Sequence, residues 1–86
     1  MKKQPVSSKT QNPLSQAQQA LDKAHNAVSM AQSHPDAHMI EQAQHSLERA
    51  ERAVRTAQDS DGAPPDAVRL AEEELRGERR ELEKLQ

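Results

Sequence analysis

The chain has 86 residues, a net charge of −2, no cysteine and no aromatic side chain. Its length allows one domain, and the lack of cysteine excludes disulfides and thiolate chemistry. The charge favours neither polyanions nor membranes as partners, and no apolar run reaches the ~18 residues of a membrane span or forms a signal peptide, so we expect a soluble, cytoplasmic protein.

The first predicted segment, residues 1–13, is a polar tail with three lysines and two prolines. Such a composition does not offset the entropy lost on ordering the chain, so we predict that this basic tail is disordered. Asn12 and Pro13 at its end indicate a helix start, with Asn12 as the N-cap and Pro13 at the first helical position.

Two amphipathic helices are predicted next, at residues 14–33 and 36–58. A large aliphatic residue recurs at every heptad, and an alanine follows one helical turn after each, which is the spacing of one helix face. The stripes are Leu14, Ala17, Leu21, Ala24, Val28 and Ala31, then Ile40, Ala43, Leu47, Ala50, Val54 and Ala57. Ser33 and Asp36 predict a capping box at the start of the second helix.

The two helices are similar in sequence. When residues 14–32 are aligned with residues 40–58, nine of the nineteen positions are identical. Heptad spacing explains the aligned core positions, but it does not explain matching outward glutamines such as Gln16 and Gln42. We therefore interpret the pattern as an internal duplication.

A run of turn-forming residues at 59–65 precedes a third predicted helix at residues 66–85. Its stripe is Val68, Ala71, Leu75, Glu78, Leu82 and Leu85. Glu78 stands where the other helices have alanine, and Gly77 weakens the helix beside it. Either this helix is loosely held, or Glu78 lies at the rim with its carboxylate in solvent.

Short connectors favour antiparallel neighbours. The predicted fold class is therefore all-α, an antiparallel up-down-up three-helix bundle of residues 14–86 with alanine-rich heptad packing.

The histidines do not have the spacing of a metal site. His38 and His45 are separated by about 10.5 Å of helix rise, whereas ligands lie about 2 Å from a bound ion. Glu41 and His45 would hold an ion only weakly, and Pro35 interrupts the turn between His34 and His38. We predict solvent-exposed histidines, no metal ligands and no cofactor.

Catalytic residues are not predicted either. The chain has no glycine-rich loop and no strand-to-helix nucleophile turn, and without aromatic residues a water-excluding pocket is difficult to build. We expect no enzymatic activity and no small-molecule substrate.

Arginines recur in the second helix at positions 49, 52 and 55, a pattern open to two interpretations. Glutamates one helical turn before two of them predict ion pairs on a solvated helix face, and Glu72–Arg76 and Arg79–Glu83 are similar pairs in the third helix. The alternative is a nucleic-acid contact, which the lack of aromatic residues and of a basic domain makes the weaker interpretation.

The sequence SHPDA at residues 33–37, then MIEQAQ at 39–44 and Leu47, joins the two alanine-heptad helices. This stretch resembles short uncharacterised all-helical proteins, a domain-of-unknown-function family of Bacillus-like spore-forming bacteria. The resemblance covers residues 14–58 closely and the third helix loosely. It implies a small cytoplasmic bacterial protein of no known activity and assigns no functional residues.

These features predict a non-catalytic helical interaction or structural module that acts through helix–helix packing. A core filled largely by alanine buries little surface per residue, so we expect a protein partner or self-association. The alternative function is a weak nucleic-acid-binding accessory protein that uses the basic tail and the arginines of the second helix.

Overall fold

A computed structural model describes residues 12–86 of the chain. They form three helices, α1 (Pro13–Ser33), α2 (Ala37–Gln58) and α3 (Pro65–Glu83), and no strand. Every pair of helices is in contact, and the contact between α1 and α2 is the most extensive. The predicted all-α three-helix bundle is confirmed. Of the tail predicted at residues 1–13, residues 1–11 lie outside the described part.

The starts of α1 and α2 are capped by side chains. Asn12 Oδ1 accepts a hydrogen bond from the Ser15 backbone N–H at 2.8 Å, and Pro13 is the first helical residue, as predicted. Helix α1 therefore begins at Pro13, the last residue of the predicted tail. At α2, Asp36 Oδ1 accepts from the Met39 N–H at 2.8 Å, so Asp36 is the N-cap.

The predicted capping box with Ser33 is wrong because α1 continues through that residue. The helix ends there for a steric reason. Pro35 disfavours the helical conformation of the residue before it, and His34 accordingly leaves the helix, with φ −133° and ψ 79°.

Contacts between the helices define their directions. The polar side-chain contacts of α3 with α1 are His25–Glu78 and Gln32–Glu81. Those with α2 are Glu51–Arg79 and Gln58–Glu72. Along these contacts, the residue numbers of α1 and α3 increase together. The residue numbers of α2 increase as those of α3 decrease. The bundle is therefore up-down-up, with α2 antiparallel to both of its neighbours.

The core contains the predicted stripes. Its buried residues are Ala17, Leu21, Ala24, Val28, Ala31, Ala43, Leu47, Ala50, Val54, Ala57, Val68, Ala71 and Leu82. Seven of these thirteen are alanine, which keeps the apolar area buried per residue small. Leu14, Ile40, Leu75 and Leu85 are half-buried and pack against this core.

None of the described helices has the length and apolar character needed to cross a membrane.

Candidate interaction surface

The α1–α2 hairpin has two long faces, and α3 covers one of them. When residues 14–32 are aligned with residues 40–58, His25 corresponds to Glu51 and Gln32 corresponds to Gln58. All four contact α3, and Gln32 Nε2 donates to Glu81 Oε1 at 3.0 Å. Positions that correspond in the two helices therefore lie on the same face of the hairpin, on either side of α3.

Glu78 of α3 is paired with a histidine of α1. Its side chain is only 19% exposed, and its Oε2 lies 2.7 Å from Nδ1 of His25, which is 63% exposed. The hydrogen bond to Glu78 and its negative charge raise the pKa of His25 above 6.5, and the charges of Asp22 and Glu74 add to this effect. The carboxylate thus lies at the rim of the core, as one of the two sequence interpretations proposed, and it is held there by the imidazole of His25.

The sequence pattern predicted only a solvent-exposed side chain for His25. The available signal is that a carboxylate at a core position requires a partner on a flanking helix, since an unpaired charge is costly to remove from water. His25 directly follows the core residue Ala24, but only the rotation of α1 against α3 shows that it reaches Glu78.

On the other side of α3, one ion pair and one hydrogen bond form with α2. Arg79 pairs with Glu51, and Gln58 donates to Glu72. In residues 12–86 the predicted pairs within a helix, namely Glu48–Arg52, Glu51–Arg55, Glu72–Arg76 and Arg79–Glu83, are not formed. The reason for three of them is that one partner lies beside a neighbouring helix and contacts a residue there.

A groove runs along the opposite face of the hairpin. Lys23 and Arg49 each stand two positions before a side chain that contacts α3, so they point about 200° away from that contact. The lining residues are Gln16, Gln19, Ala20, Lys23, Ala27, Met30, Met39, Gln42, His45, Ser46 and Arg49. Two adjoining parts of about 170 and 330 Å³ share Ser46 and Arg49, and no acidic residue lines either part. We call this the hairpin groove.

The three arginines of α2 do not form one surface. Each step from one arginine to the next turns about 60° short of a full turn, so the first and last guanidinium groups diverge by about 120°. Arg49 lines the hairpin groove, whereas Arg52 and Arg55 are exposed outside it. The cation beside Arg49 in the groove is Lys23 of α1.

The other histidines are exposed, as predicted. His38 contacts Gln42 through its Nε2 at 3.1 Å, and His45 lines the hairpin groove. No group of three or more histidine, cysteine, aspartate or glutamate side chains in residues 12–86 has an arrangement that holds a metal ion.

Comparison of the chain with protein-family models, curated proteins and solved structures finds no match. The resemblance to a family of spore-forming bacteria stays a prediction. The function has to be inferred from the two faces of the hairpin.

Proposed function

We propose that the chain is a non-catalytic helical interaction module of the cytoplasm that acts through helix–helix packing, by self-association or with a protein partner. The observation that carries this proposal is the hairpin groove. Met30 lines this groove and is 52% exposed, whereas α3 covers the other face of the same hairpin.

Small side chains line the groove on both helices. Ala20 and Ala27 are two turns apart on α1, and Ser46 lies across from them on α2. Small side chains let another helix approach closely, and flexible methionines adapt to the shape of an apolar partner. The hairpin already packs one amphipathic helix, α3, through its other face.

The energetics of the core also support association. Val28 is the largest side chain that is fully buried in the described residues. A single core in a chain of this size contributes only about 3–5 kcal/mol of stability. Covering the groove would bury further apolar surface and stabilise the fold by mass action.

A non-catalytic role is supported by the surroundings of the histidines. In the described residues, His25 contacts a carboxylate and His38 an amide, and neither has a hydroxyl nucleophile as its hydrogen-bond partner. A base beside a nucleophile is the arrangement that acyl or glycosyl transfer requires.

Weak nucleic-acid binding is a second candidate, and the observation that favours it is the proximity of Lys23 and Arg49 in a groove lined by no carboxylate. An electrophoretic mobility shift across a salt series tests it. A shift that falls steeply with salt supports nucleic-acid binding. No shift at low salt contradicts it.

The leading proposal is tested by sedimentation and thermal melting from micromolar to millimolar protein, together with cross-linking in a lysate of the native host. Self-association raises the mass and the melting temperature together, because the two are linked. A protein partner instead gives cross-links to residues of the hairpin groove. A constant monomer mass, an unchanged melting temperature and no such cross-link would contradict the proposal.

A further inference from the structure

We infer that the hairpin groove receives a second copy of this chain, through the outer face of that copy's α3 around Leu70, Glu73 and Glu74. This inference rests on the proposed function and names the partner. The contact is head to tail, because the two surfaces lie on different parts of the molecule.

Large apolar side chains are exposed on both of the surfaces that this contact joins. The exposed large hydrophobic residues of the described chain are Met30, at 52%, and Leu70, at 59%. Met30 lines the hairpin groove, and Leu70 lies on the solvent side of α3. Joining these two surfaces covers both side chains in a single contact.

The charges of the outer face of α3 and of the hairpin groove are complementary. Glu73 and Glu74 are exposed and follow Leu70 by one helical turn, so they lie on either side of it along the helix surface. The groove offers Lys23 and Arg49 and no carboxylate. None of these four charged groups forms an ion pair in residues 12–86.

The arginines of α3 do not cancel this match. Arg69 and Arg76 point about 100° or more away from Leu70, toward the side of α3 that faces α2. The helix as a whole is acidic, with seven carboxylates and four arginines. Leu70 is therefore flanked by negative charge on the side that meets the groove.

A symmetric contact between two hairpin grooves is disfavoured by the same charges. It would bring Lys23 and Arg49 of one copy against the same residues of the other, and like charges facing each other across an interface oppose association. A head-to-tail contact has no such repulsion. It repeats from copy to copy and gives a ring or an open chain.

The test uses two variants of the full chain, each of which disables one surface. Lys23→Glu with Arg49→Glu reverses the charge of the groove and leaves α3 intact. Leu70→Lys removes the apolar contact, places a cation against the cationic groove of the other copy and leaves the groove of its own chain intact. The substituted residues are exposed, so circular dichroism should show wild-type helix content for both.

Sedimentation over a concentration series gives the readout. Wild type increases in mass with concentration, and this increase weakens at high salt because the charges are screened. Each variant alone stays monomeric. An equimolar mixture of the two forms a 1:1 dimer that does not grow, because one working groove meets one working α3. The matched control, Arg52→Glu with Arg55→Glu, changes the net charge equally outside the groove and associates like wild type.

Other outcomes overturn the inference in distinguishable ways. If Leu70→Lys associates like wild type, or if the mixture fails to form a dimer, the chain self-associates through other surfaces and the proposed function stands. Wild type that remains monomeric at millimolar concentration removes the second copy as the occupant, and the lysate cross-links then decide the proposed function. A monomer whose mobility shift with nucleic acid is lost in the groove variant identifies nucleic acid as the occupant.

Discussion

Gly77 is a single position at which the stability of α3 can be measured directly. It lies in the interior of the helix, no described glycine has a positive φ, and a Cβ built on it meets nothing within 4 Å. Gly77→Ala therefore introduces neither backbone strain nor a clash. We expect the free energy of unfolding to rise by about 1 kcal/mol, the difference between glycine and alanine inside a helix.

In a domain of this size, a gain of about 1 kcal/mol corresponds to a rise of about 4–8 °C in melting temperature. Glu78→Ala should have a much smaller effect. It removes a pair with the largely exposed His25 that contributes no more than about 1 kcal/mol, and it replaces glutamate by a better helix former. The double substitution should therefore resemble Gly77→Ala alone.

Circular dichroism melts at low micromolar concentration measure these changes without a contribution from association. Hydrogen exchange of the α3 amides supplies a second readout and should slow in Gly77→Ala. Arg76→Ala is the control, because it exchanges two strong helix formers at an exposed site and should change stability by less than about 0.5 kcal/mol.

Two results would refute this reasoning. No stabilisation by Gly77→Ala would mean that α3 is not a continuous helix at this residue in solution. A gain of more than about 1 kcal/mol from Glu78→Ala alone would mean that the carboxylate is a liability in the fold, and that its pairing with His25 does not offset its desolvation.

Three further changes probe the capping, the packing and the α1–α3 contact. Asp36→Ala removes the α2 cap and should cost about 1 kcal/mol in chemical denaturation, whereas Asp36→Asn should be nearly neutral. Ala24→Leu overfills the α1–α2 interface, where Ala24 is fully buried, and should cost about 1–3 kcal/mol, whereas the exposed Asn26→Leu should change stability by less than about 0.5 kcal/mol. Because the pKa of His25 is raised in the fold, the native state binds more protons than the unfolded state just above pH 6.5. Stability should therefore be greatest below this pH and fall as pH rises through the raised pKa, by no more than about 0.5 kcal/mol for so exposed a pair, and melting of His25→Gln should lack this dependence.

The fold was predictable because its determinants are local. Prolines mark the starts of α1 and α3 and the end of α1, and a stripe repeated at every heptad sets the buried face of α1 and α2. The exceptions, Leu14 and Ile40, are half-buried because each lies in the first turn of its helix, where neighbours are present on fewer sides.

The contacts of the candidate surface depend on rotations between helices, which the stripes do not specify. Sequence spacing puts Glu51 within reach of Arg55, but α3 brings Arg79 close to Glu51 from outside its own helix. The hairpin groove could not be located in advance for a similar reason. Two stripes define a core, but they do not show which outer face α3 leaves uncovered.

One pair of corresponding positions of α1 and α2 differs in side chain on the covered face, and another pair is cationic in both helices on the uncovered face. On the covered face, the corresponding residues His25 and Glu51 carry different side chains, and α3 presents Glu78 to one and Arg79 to the other. On the uncovered face, Lys23 and Arg49 also occupy corresponding positions, and both are cations. The covered face thus presents an imidazole and a carboxylate to α3, whereas the groove presents two cations. Negative charge offered to both helices at once is complementary to this groove, and Glu73 and Glu74 lie on either side of Leu70 in such an arrangement.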